Sequence, residues 1–80
     1  MYLTTIYCKD DATAARIEEE LLTNGPKMED VVSFASSDNF ARSRKACVVV
    51  HTKTMMTVRI LMGRYLPETD VLSIEVMEGA

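Results

Sequence analysis

The 80-residue chain predicts an α+β domain with the order β-α-β-β-α-β, a four-stranded antiparallel sheet carrying both helices on one face. Three observations lead there. KACVVVH at residues 45–51 sets three consecutive valines between polar residues, the clearest strand pattern in the chain. Two segments, beginning near residues 12 and 54, repeat apolar residues at helical spacing. Each follows a β-branched apolar stretch and is closed by a break that contains proline.

Taken in order, YLTTIYC at residues 2–8 is β-branched and aromatic, which suits a strand. Asp10 or Asp11 then caps a helix by accepting a bond from a free backbone N–H. Over residues 12–23, Ala14, Ile17 and Leu21 share one helical face while Glu19 and Glu20 point away. Asn24-Gly25-Pro26 stops that helix. Residues 30–36, DVVSFAS, read as a second strand, and residues 36–45 as a hairpin tip or a short helix. After the valine strand, Thr52 or Thr54 caps a second helix running to about Leu66, with Met55, Val58, Met62 and Tyr65 on its core face. Pro67 ends it. In VLSIEVM at residues 71–77, Leu72, Ile74 and Val76 alternate onto one side of a last strand.

This order resembles the ferredoxin-like split β-α-β unit. The resemblance implies a sheet order 4-1-3-2, with strands 2 and 4 at the edges. The opening YLTTIYCKDD, followed by a helix, is similar to the start of a glutaredoxin. It lacks the C-x-x-C pair, so that family's redox chemistry is not expected. Acylphosphatases share the strand order, but here Lys9-Asp10-Asp11 stands where a phosphate cradle would lie, and its carboxylates repel phosphate. RNA-recognition motifs share it too, yet KACVVVH has no aromatic residue on which a base stacks.

Composition is that of one ordinary globular domain spanning residues 1–80, with 48% hydrophobic and 26% charged residues. No apolar run is long enough to span a membrane, and the N-terminus lacks a signal peptide's pattern, so a cytoplasmic protein is expected. A chain of this size opening on Met1 is compatible with a phage or bacterial accessory protein. Cys8 and Cys47 are too few for a disulfide framework and read as buried thiols; on neighbouring strands they stand close enough to raise the question of a thiol pair. His51 is the single histidine and supports no metal pattern. With Ser36 and Asp38 it makes a nominal triad, but on a hairpin the tip and His51 lie about 33 Å apart. No catalytic residue, cofactor or metal is assigned, and an enzyme is not expected.

Charge is distributed unevenly. Between Asn39 and Pro67 there is no acidic residue, while Arg42, Arg44, Lys45, Lys53, Arg59 and Arg64 fall there. The remainder holds Lys9, Arg16 and Lys27 against all twelve acids. Such segregation either cancels inside the fold or steers an oriented partner. The second helix is also more apolar than a one-sided helix needs, because Met56, Ile60 and Leu61 widen its apolar surface. A protein partner is therefore expected, bound by Arg42, Arg44 and Lys45 on the hairpin tip, with Phe34, Phe40, Met56 and Arg59 as secondary contacts. The uncharged VVSFAS edge allows a homodimer through strand pairing. A small-ligand sensor of the ACT kind is the alternative, and nucleic-acid binding ranks below both because the chain is acidic overall, at -3.

Overall fold

In the computed structural model, residues 1–24, 31–36 and 46–79 are described, the segment 31–36 by its backbone alone. The elements are β1 (Tyr2–Cys8), α1 (Asp11–Asn24), β2 (Val31–Ser36), β3 (Cys47–Thr52), α2 (Met55–Tyr65) and β4 (Val71–Glu78). No helix among the described residues is long and apolar enough to cross a membrane.

Strand β1 lies between β3 and β4 and pairs antiparallel with both. Its alternation places Thr4, Ile6 and Cys8 on the helix side, all buried, and Leu3, Thr5 and Tyr7 on the other. On β3, Val48 and Val50 stand opposite Ile6 and Thr4 and face the helices with them. Ile17 and Leu21 of α1, with Leu61 and Tyr65 of α2, close over these residues and complete a single core. The near-continuous apolar run of β3 follows from its interior place in the sheet, flanked on both sides.

The expectation of a regular four-stranded ferredoxin-like sheet is corrected at its β2 edge. The strands whose side chains are described make a three-stranded antiparallel sheet, β3-β1-β4, with two helices on one face. The segment β2 adds to the outer side of β3 as a backbone ladder, in the order β2-β3-β1-β4. Its register slips: Val31 pairs with Thr52 and Ser33 with His51, so Val32 has no partner opposite. Composition identifies VVSFAS as extended chain, but it carries no information about register, which depends on the partner strand.

Local signals set most element boundaries. Asp10 caps α1: its Oδ1 accepts from the Thr13 backbone N–H at 2.9 Å and from the Thr13 hydroxyl at 2.7 Å. These bonds favour the ionised form and hold the Asp10 carboxyl below its usual range. Asp10 and Asp11 are thus accounted for at a helix start. Ala14, Ile17 and Leu21 are buried, as their spacing predicts. Thr54 takes the N-cap position of α2 with extended backbone, without a side-chain capping bond. Leu66 keeps helical dihedrals and donates its N–H to Met62, even though Pro67 follows. The preference that proline imposes on its predecessor is overridden here by that hydrogen bond.

Two faces differ from expectation. The buried residues of α2 are Thr57, Val58, Leu61 and Tyr65, so the helix is rotated away from the phase that puts Met55 and Met62 inward. Met55 is exposed and Met62 half-buried. On β4, Val71 pairs with Cys8 but Ser73 with Tyr7, leaving Leu72 as the surplus residue of a β-bulge. The bulge turns Val71 into the core and sends Leu72 out, 65% exposed, while Ile74 and Val76 keep the inner face half-buried.

Candidate interaction surface

The outward side of α2 is built from residues that the core does not use. Met56 and Ile60 lie one turn apart and are 72% and 53% exposed. Arg59 stands between them and Arg64 a turn further on, both exposed. Gly63 shares this face, and a β-carbon added to it would meet nothing within 4 Å. A glycine inside a helix costs about 1 kcal/mol relative to alanine, and no neighbour among the described residues requires it here.

The described ion pairs all draw their cations from outside the basic stretch. Arg16 bridges Glu20 at 2.9 Å and Glu68 at 3.2 Å, and Lys9 meets Asp70 at 3.8 Å. Hydrogen bonds to the Glu68 and Glu20 carboxylates raise the Arg16 guanidinium's pKa further. Lys53, Arg59 and Arg64 enter no ion pair among the described residues. Among the described residues, no ion pair cancels the basic charge around α2. Arg64 instead lies over the Tyr65 ring, 5.6 Å from its centroid.

Of the residues singled out in the sequence, Met56 and Arg59 come together on this face. Arg42, Arg44, Lys45 and Phe40 lie outside the described residues, as does any hairpin or helix over 37–45. Phe34 belongs to β2, where its backbone pairs with Val50. Gly63 and Ile60 complete the face. A search for exposed partners of Met56 at helical spacing finds Ile60 directly, whereas Gly63 carries no sequence signal of its own.

The remaining sites offer little chemistry. Cys8 and Cys47 are both buried and free. Tyr7 pairs with Cys47, so Cys47 shares the open face of the sheet and Cys8 the helix face. Burial, then the proximity of Cys47, pushes the Cys8 thiol up to about 11, which keeps it neutral and unreactive. No group of three or more metal-ligating side chains occurs among the described residues. Ser36 pairs with Val48, three residues from His51, a separation of about 10 Å along the strand. On the open face the Tyr7 phenol donates to Glu75 at 3.1 Å. A hollow of about 170 Å³ opens at one corner of the sheet between Met1, Leu3, His51 and Met77.

No protein family, curated protein or solved structure matches this chain.

Proposed function

We propose that the chain is a small non-enzymatic protein-interaction module, a regulator or inhibitor that docks another protein on the outer face of α2. The observation that carries this reading is the exposure of Met56 and Ile60 around Arg59, an arginine without an ion pair among the described residues. Methionine, a flexible and polarizable side chain, adapts to irregular partners. Arginine beside exposed apolar atoms is the usual composition of an interface anchor. The surface calls for a partner that is apolar at its centre and acidic around it. Such a partner also adds to a core that is small in a domain of this size.

The test uses immobilised full-length chain and a nuclease-treated lysate of the native host. Stoichiometric capture of one protein by the native sequence, lost with Met56→Glu or Arg59→Glu at unchanged melting temperature, supports the reading. Equal capture by all three sequences removes α2 as the docking face. A partner released by nuclease points instead to nucleic acid.

A further inference from the structure

We infer that the occupant of the α2 face is α1 of a second copy of the chain, in a two-fold pair that stacks helix layer on helix layer. The inference rests on the reading of α2 as a docking face and names its partner.

The two helices cover the same side of the sheet. Each follows its strand after two residues, and β1 and β3 are antiparallel, so α1 and α2 run in opposite directions. When two such layers meet face to face, the two-fold axis lies either across the helices or along them. An axis across the helices puts α1 on α1 and α2 on α2. The Arg59 side chains then gather on one side and the Glu19 carboxylates on the other, which like-charge repulsion opposes. An axis along the helices puts α1 on the partner's α2, antiparallel to it, and brings opposite charges together.

That arrangement has a register in which every contact is matched. With Leu22 set against Met56 of the second copy, both large, apolar and exposed, each step along α1 is a step back along α2. Three residues away on each helix, Glu19 meets Arg59. Seven residues away, Ala15 meets Gly63, two small residues where the helix axes need room to approach. Ten residues away, Ala12 meets Leu66, another exposed apolar side chain. Glu19, Ala15 and Ala12 are all exposed on the outer side of α1. The glycine that nothing among the described residues requires thus falls at the closest approach of the two backbones.

The experiment is sedimentation equilibrium of the full-length chain over a concentration series. The expected mass is twice the 9.0 kDa of the single chain. Glu19→Arg and Arg59→Glu alone each weaken the pair by about tenfold or more, since the contact occurs twice, and the double variant E19R/R59E restores it. Gly63→Leu abolishes the pair while the circular dichroism spectrum and the monomer's melting temperature are kept, because the added side chain enters open space in one copy. A single-chain mass at every concentration, or a dimer indifferent to these variants, overturns the inference. A monomer whose Met56→Glu variant loses a lysate partner still leaves α2 as a docking face for another protein. A monomer with no such partner removes both readings.

Discussion

The Tyr65 phenol donates a hydrogen bond to the Glu20 carboxylate at 2.9 Å, tying the last turn of α2 to α1. Glu20 also receives Arg16, which reaches on to Glu68 beyond the end of α2. The ring of Tyr65 is buried against the sheet while its hydroxyl meets this charged cluster. Tyr65→Phe keeps the packing and removes one bond. Its expected cost is about 1 kcal/mol, because Glu20 remains paired with Arg16. In a domain of this size the melting temperature falls by about 4–8 °C, and circular dichroism melts check it.

Alkaline pH weakens the fold. Burial and then the Glu20 contact raise the Tyr65 phenol from 10.0 to about 12, and burial raises the Cys8 thiol from 9.0 to about 11. In each case the native state holds a proton that the unfolded chain releases first. Stability is therefore fully present below pH 9 and is lost as pH rises through about 11 to 12. Denaturant titrations at pH 8, 10 and 11 are expected to show a falling midpoint, with a shallower fall in a Cys8→Ala, Tyr65→Phe variant. A midpoint that falls equally in both would show that other groups control the alkaline limit.

Thr4 is fully buried at the centre of β1, and its hydroxyl has no hydrogen-bond partner among the described residues. Thr4→Val replaces that hydroxyl with a methyl group of nearly the same shape. An unmade buried hydrogen bond costs about 1–3 kcal/mol, so the valine variant is expected to gain up to about 1 kcal/mol in chemical denaturation. Thr4→Ser keeps the unsatisfied oxygen and loses the methyl, and is expected to destabilise. A valine variant weaker than native would place an ordered water on Thr4.

The phase of α2 is tested by two truncations. Leu61 is completely buried, and Leu61→Ala is expected to cost about 2–5 kcal/mol. Met55→Ala removes a side chain that is 38% exposed and is expected to cost about 1 kcal/mol or less. The reverse ranking in urea midpoints would restore the phase in which Met55 faces the core.

Sequence reasoning succeeded where polar and apolar residues contrast. In α1 the glutamates mark the outside, so Ala14, Ile17 and Leu21 identify the inside. MMTVRILM in α2 is apolar around most of its circumference, and period alone cannot choose which stripe turns inward. The same ambiguity hid Leu61 in the core and overstated Met62. Leu72 was misplaced for a different reason. Alternation assumes unbroken pairing, and a bulge is decided by the neighbouring strand rather than by residues 71–77 themselves. Of the candidate surface, Met56 and Arg59 were legible because an unneeded apolar residue beside a cation stands out in the chain. The match of Glu19 with Arg59 and of Ala15 with Gly63 was not, since it depends on the helices' opposed directions. The basic cluster at Arg42, Arg44 and Lys45 lies outside the described residues.

The surplus residue at Leu72 has a consequence for the sheet's outer boundary. Strand β4 closes the side of the sheet away from β2, so its free edge is where a further strand would attach. Attachment needs amide and carbonyl groups repeating at even spacing along that edge. Between Val71 and Ser73 the spacing is broken, and an extended segment aligned with Ser73–Glu78 falls out of step before it reaches Val71. The irregularity acts as a stop against lateral accretion of chains at the β4 edge, of the kind that leads to cross-β fibres.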